Sequence, residues 1–390
     1  MFRFHRFVPI RRGGDGMDDE GGADTMIIRA RAPLRLSFCG GGTDLPPYPE
    51  ERGGLVLSAT IARYAWATLR FLPEQVLRIH SVDLHTGGQY GLGDRLELDG
   101  HLDLVKAALN RMLPGARAED LPGLEVYLET EAPAGSGLGG SSALVAALLG
   151  ALAEWRRRRY DKYEFAHMAW EVERIDVGIP GGMQDQYAAV FGGFNLVEFY
   201  GPGQVVVNPL RIDPQVIDEL QYNLLLVYVG RRRAGSVIED QVRGYREGRE
   251  GVREALDRIR ELTVAAKRAL LRGRLQEFGE ILHEAWLAKK RTAETVTTPF
   301  VEEAYHEARR LGAIGGKISG AGGGGYMFLL CPWTRKQAIA DRLRAMGGEV
   351  SAVSFEPNGL RAWRFKEPLS CEPFPVAREE TGTVEELAPA

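Results

Sequence analysis

A chain of 390 residues with 49 lysines and arginines against 53 aspartates and glutamates carries a formal charge of −4, which argues against nucleic acid as the main partner. Its 44% hydrophobic and 26% charged content is that of a globular protein long enough for two domains, and no apolar run reaches membrane-spanning length. Cys39, Cys331 and Cys371 are too few and scattered for a disulfide framework or a zinc site, which predicts a reducing, cytoplasmic setting.

Residues 1–25 are rich in Arg, Gly and Asp, contain no uninterrupted apolar h-region, and read as a disordered extension. Alternation predicts strands over 27–36 and 56–72, a helix over 102–113, and a strand through Leu124–Leu128. Helices follow over 142–158 and 163–177, and a short one over 185–191 stops at Gly192-Gly193. The Gly- and Pro-containing stretch 201–214 marks a boundary, giving domains over 26–205 and 206–366 and a flexible tail over 367–390. The second domain reads as strand 222–229, helices 236–271, 275–290 and 299–311, strand 326–331, helix 334–346 and strand 352–356. The class is α+β.

Between the strand at 124–128 and the next helix lies Pro133-Ala134-Gly135-Ser136-Gly137-Leu138-Gly139-Gly140-Ser141-Ser142. A glycine-rich turn at a helix N-terminus presents unpaired N–H groups and a positive dipole end, which suits a nucleotide phosphate. The two serines add hydroxyls for phosphate oxygens or a metal. A Walker A loop would need Lys where Gly140 stands, and a dinucleotide fingerprint fits poorly because the helix runs on into Arg156-Arg157-Arg158-Arg159. A second cluster, Gly315-Gly316-Lys317-Ile318-Ser319-Gly320-Ala321-Gly322-Gly323-Gly324-Gly325, precedes an apolar strand. A third conspicuous segment runs from Arg31-Ala32-Pro33-Leu34-Arg35 to Cys39-Gly40-Gly41-Gly42-Thr43-Asp44.

These three segments, in this order, resemble the motifs of the GHMP kinases, and the resemblance spans residues 27–366. It implies a ribosomal-S5-like N-terminal domain and a ferredoxin-like C-terminal domain, with ATP and Mg2+ as cofactors and a small-molecule sugar or sugar phosphate as partner. Pro133 to Ser142 would then hold ATP, with Lys317, Gly320, Gly322 and Gly323 closing the nucleotide site. Ser141, with Ser142 able to share its role, and Glu173 would bind magnesium; the alternative for Glu173 is a surface pair with Arg174 or Arg157. Met183-Gln184-Asp185-Gln186 is similar to the galactokinase segment whose aspartate is proposed as catalytic base, although Asp185 also suits an N-cap. By the same match Arg35 stabilises developing charge, and Gly42, Thr43 and Asp44 contact the sugar, Asp44 being equally placed to cap the turn at Pro46-Pro47.

The chain departs from galactokinase at Gly40-Gly41-Gly42, where that signature has Gly-Glu-His, and galactose becomes an unsuitable acceptor. Arg35 to Tyr48 and Gly53 to Ile61 are instead similar to the branch that phosphorylates the C1 hydroxyl of D-glycero-D-manno-heptose 7-phosphate. Such an acceptor needs a second anion site, for which Arg231 and Arg233 in a basic loop are candidates; a solvated loop is the alternative reading. Kinases of free fucose or arabinose, and a sugar sensor without turnover, are the competing functions.

Overall fold

The computed structural model describes residues 26–115, 117–230 and 234–366. The chain begins with β1 (Met26–Cys39), α1 (Tyr48–Arg52) and the long β2 (Gly54–Leu72), an antiparallel pair. Then come β3 (Leu77–Ser81), β4 (Thr86–Tyr90), α2 (Asp103–Met112) and β5 (Gly123–Thr130). Helices α3 (Gly140–Trp155), α4 (Lys162–Glu171) and α5 (Gln184–Phe191) precede β6 (Phe194–Phe199) and β7 (Val205–Pro209). At 19 residues β2 is long enough for two partners on one edge: β6 along 54–59 and β5 along 65–72. β3 runs parallel to β5, and every other pairing in this sheet is antiparallel.

α3 shows why the sheet has a core. Its sequence GSSALVAALLGALAEW is apolar on nearly all sides, as a helix buried on all sides requires, and Ala143, Ala146, Leu149 and Leu152 are fully inaccessible. It packs on β1 and β2 with α2, α4 and α5 around it.

After α6 (Pro214–Asn223), the chain forms β8 (Leu224–Tyr228), α7 (Ala234–Arg246), α8 (Val252–Leu271), α9 (Leu275–Lys290) and α10 (Pro299–Arg310). β9 (Gly315–Ile318), β10 (Tyr326–Leu330), α11 (Trp333–Ala345) and β11 (Glu349–Ser351) complete a four-stranded antiparallel sheet ordered β11-β8-β10-β9. The two sheets share a core. Phe38 of β1 lies edge-on to Phe278 of α9 and Phe328 of β10, each with ring centroids 5.6 Å away. Among the described residues no helix is long and apolar enough to cross a membrane.

The final strand β12 (Arg361–Lys366) returns to pair with β1, and β7 pairs with β6. Three expected elements are corrected. The helix expected over 236–271 is two, broken between Arg246 and Val252 where Gly248 and Gly251 both take positive φ. The strand expected over 352–356 is replaced by β11, and Phe355 makes only an isolated bridge to Ile61. The helix expected over 163–177 stops at Glu171 and continues as one π-helical turn, Val172–Asp176. Such wide turns recur at functional sites because they re-aim a side chain. Here the turn carries Glu173.

Candidate active site

The turn between β5 and α3 leaves the first amides of α3 open: its N-cap, Gly139, is left-handed and no side chain caps it. Pro133, Ala134 and Ser141 are exposed around this opening, whereas Ser136, Gly137 and Leu138 are buried beneath it. Gly135, Gly139 and Gly140 are half-buried. The second glycine cluster folds against the same turn, as Tyr326 N–H donates to Ser136 O at 2.8 Å. A Cβ on Gly325 would stand 2.3 Å from that carbonyl, so only glycine permits the approach.

Arg35 ties all three motifs together. Its backbone N–H donates to Leu138 O at 2.9 Å, and its guanidinium donates to Gly137 O and, at 3.3 Å, to Ser319 Oγ. The rest of the guanidinium grips Asp185 Oδ1, at 2.9 Å from Nε and 2.6 Å from Nη2. Asp185 sits in the first turn of α5, whose N-cap is Met183, so its carboxylate is not used as a cap. It stays 23% exposed and lies beside the cradle, 3.4 Å from where a Cβ on Gly139 would be. A carboxylate at that place can accept a proton from a hydroxyl presented to the cradle.

Glu173 is fully buried and reaches Ser142 rather than Ser141: Ser142 Oγ donates to Glu173 Oε2 at 2.8 Å. Gln186 Nε2 also donates to Glu173 Oε2, and Arg174 Nη2 stands 3.2 Å from it. Burial pushes the Glu173 carboxyl up, opposed chiefly by Arg174. Glu173 Oε1 and Gln186 Oε1 have no protein hydrogen bond although both are buried, leaving two acceptors beside the Ser142 hydroxyl. Hard oxygen donors in a sparse set are what a magnesium ion that keeps phosphate and water ligands takes. Among the described residues no group of three or more His, Cys, Asp or Glu is arranged to hold a metal ion.

A cavity of about 60 Å³ opens beside Asp185, lined among others by Arg35, Asp44, Arg174, Gln184 and Lys289. Asp44 is held by Gly42 N–H at 3.0 Å and by Gln184, whose Nε2 reaches both carboxylate oxygens at 3.0 and 3.1 Å. It is not a cap of the Pro46-Pro47 turn, because α1 has no side-chain cap. Gly42 and Gly320 line the cavity. Thr43 does not: its hydroxyl donates to Gly40 O and accepts from Leu55 N–H at 2.9 Å. Gly322 and Gly323 pack on Val296, and neither lines the cavity. Lys317 lies in β9 and donates to Ser37 O at 2.6 Å, below the first motif rather than in the glycine loop. Arg231 and Arg233 lie outside the described residues.

The sequence names Gln184 and Gln186 only as part of the Asp185 motif and Arg174 only as a surface partner for Glu173, and it does not point to Lys289. The two glutamines flank Asp185 on a helix, where residues two apart point to different sides, so one serves Asp44 and the other Glu173. That signal was readable. Lys289 gave none, since a lysine in the last turn of a helix is ordinary.

Two family models match the sequence around this site. The GHMP kinases N terminal domain matches residues 103–193, and the GHMP kinases C terminal domain matches residues 266–349. The chain is 39% identical over 337 residues to D-glycero-alpha-D-manno-heptose 7-phosphate kinase of Campylobacter jejuni, covering 86% of this chain and 99% of that protein. It is 29% identical to the bifunctional fucokinase/GDP-fucose pyrophosphorylase of Arabidopsis thaliana, over 77% of this chain and 30% of that longer protein. The crystal structure of a D-glycero-D-manno-heptose 1-phosphate kinase from Bacteroides thetaiotaomicron superposes with a TM-score of 0.72 at 34% identity, covering 86% of this chain and 98% of that one. With its ordered motifs joined around Arg35, the chain belongs to the GHMP kinases.

Proposed function

We propose that this kinase transfers the γ-phosphoryl group of ATP to the anomeric C1 hydroxyl of D-glycero-D-manno-heptose 7-phosphate, giving the 1,7-bisphosphate and ADP. The observation that carries the reading is Asp185, fixed by Arg35 between the phosphate cradle and the lined cavity. The full-length likeness to the Campylobacter jejuni kinase supports the choice of sugar.

The cradle amides of α3 hold the phosphates, and Asp185 accepts the proton of the C1 hydroxyl as its oxygen bonds to the γ-phosphorus. The bond from that phosphorus to the bridging oxygen breaks, and ADP leaves with the electron pair. The transition state is loose, so positioning and charge neutralisation matter more than basicity. Arg35 faces the charge that develops, held in place by Gly137 O. Ser142, Glu173 and Gln186, with Ser141 exposed above them, would hold Mg2+, which when bound neutralises phosphate charge. Asp44, kept in one orientation by Gln184, accepts hydrogen bonds from ring hydroxyls.

The test is magnesium-dependent ADP release with heptose 7-phosphate, free heptose, fucose, arabinose and galactose as acceptors. The reading expects the highest kcat/KM with heptose 7-phosphate. A free sugar turned over best, or binding without turnover, would overturn it in favour of the fucokinase-like or sensor reading.

A further inference from the structure

The acceptor cavity has two walls. The N-terminal unit supplies Arg35, Asp44, Arg174, Gln184 and Asp185, and the C-terminal unit supplies Ile238, Lys289, Gly320 and Ala321. Its lining charges are three cations to two carboxylates, an excess of positive charge that suits an anionic acceptor. Arg35 is engaged with Asp185, and Arg174 with Glu173 and the carbonyls of Gly182 and Ile179. Lys289 is the lining cation that the C-terminal unit supplies.

Lys289 is only 3% exposed, and its Nζ donates to Gln241 Oε1 at 2.6 Å. Gln241 is itself fixed. Its Nε2 donates to Gly42 O at 3.0 Å, and its Oε1 also accepts from Thr292 Oγ1 at 3.3 Å. The lysine is thereby aimed at the loop that carries Asp44. A Cβ on Gly42 would stand 2.8 Å from Lys289 Nζ and 2.8 Å from Gln241 Nε2, on a backbone with φ of +109°. Gly42 therefore sits against the side-chain ends of Lys289 and Gln241, and its positive φ is one that a side chain rarely adopts.

We infer that Lys289, positioned by Gln241, reads the phosphate already carried by the acceptor and so sets the preference for a phosphorylated over a free sugar. This rests on the proposed sugar-phosphate kinase reading and names the side chain that enforces it. A phosphate oxygen arriving at the C-terminal wall gains a charge-assisted hydrogen bond in a site shielded from water, while the C1 end of the same sugar faces Asp185 across the cavity.

The experiment compares kcat/KM for heptose 7-phosphate and for free heptose in the wild type, Lys289→Gln, Lys289→Arg and Gln241→Glu. Losing one charged hydrogen bond is expected to lower the ratio of phosphorylated to free acceptor about 10- to 100-fold in Lys289→Gln, mainly through KM of the phosphorylated sugar. Lys289→Arg, which keeps the charge, retains most of the ratio. Gln241→Glu sets a carboxylate against the ammonium and lowers the ratio as well, which serves if Lys289→Gln does not fold. A wild type that prefers heptose 7-phosphate, with variants that keep its ratio or lose both acceptors equally, overturns the inference and leaves the kinase reading intact. A wild type without preference for the phosphorylated sugar overturns both.

Discussion

Asp185→Asn is the most informative single change at the reacting centre. The asparagine carbonyl can still accept from Arg35, which also keeps Gly137 O and Ser319 Oγ, so the local geometry survives while the charge is lost. Removing one partner of a fully buried ion pair costs about 3–5 kcal/mol. Here the carboxylate is 23% exposed and a neutral hydrogen bond replaces it, so the stability loss should be about 1–2 kcal/mol. The chemical effect is larger. Loss of a positioned general base removes about 10²- to 10⁴-fold in rate, or roughly 3–5 kcal/mol of transition-state stabilisation. Nucleotide affinity should change little, because the cradle is built from backbone amides of the turn and α3. An ADP-release assay measures kcat, and titration calorimetry with a non-hydrolysable ATP analogue measures binding on the same preparation. A folded variant with kcat within about fivefold of wild type would refute Asp185 as the base.

Three further changes probe separate parts of the site. Glu173→Gln removes a buried carboxylate whose Oε1 has no protein partner, and should raise the Mg2+ concentration for half-maximal rate by about 10-fold or more; an unchanged magnesium curve excludes Glu173 as a ligand. Gly182→Ala places a Cβ 2.0 Å from Asp44 Oδ2, a carboxylate that Gln184 prevents from swinging away. It should cost about 1–3 kcal/mol in stability and lower acceptor kcat/KM at least tenfold, and wild-type kinetics would show that Asp44 does not contact the sugar. Burial, with Lys289 and Arg35 nearby, pushes Lys317 down to about 7. Between that value and the usual lysine range the unfolded chain binds more protons, so wild-type stability should rise with pH above 7 and carry the full penalty below it. The gain in Tm from Lys317→Met should therefore shrink from pH 6 to pH 9; a constant difference means the lysine is not held neutral.

What the sequence revealed depended on whether a signal was local. The turn at 133–142 reads as a phosphate cradle because a glycine-rich loop opening a helix leaves backbone amides and a positive dipole end for an anion. Asp185 and Glu173 are singled out through the family resemblance, and the structure adds that Arg35 holds the one and that the other lies in a π-helical turn that no periodicity announces. The choice between Ser141 and Ser142 was open in the sequence, because it turns on which hydroxyl faces inward at the first turn of α3. The return of β12 to β1 is hidden in the sequence, since a six-residue strand carries no record of a partner more than 300 positions away. Gly42 stands out in the sequence as a departure, but its closeness to Gln241 and Lys289 of the other unit is visible only in three dimensions.

The most direct test of the central claim is phosphorus NMR of the product made from heptose 7-phosphate and ATP by the wild type. The expected result is one new phosphomonoester at C1, split by the anomeric proton and equal in amount to the ADP released, with about a hundredth as much or less formed by Asp185→Asn in the same time. ATP consumed without a signal coupled to the anomeric proton, or an unchanged sugar spectrum, would contradict phosphoryl transfer to the C1 hydroxyl at this site.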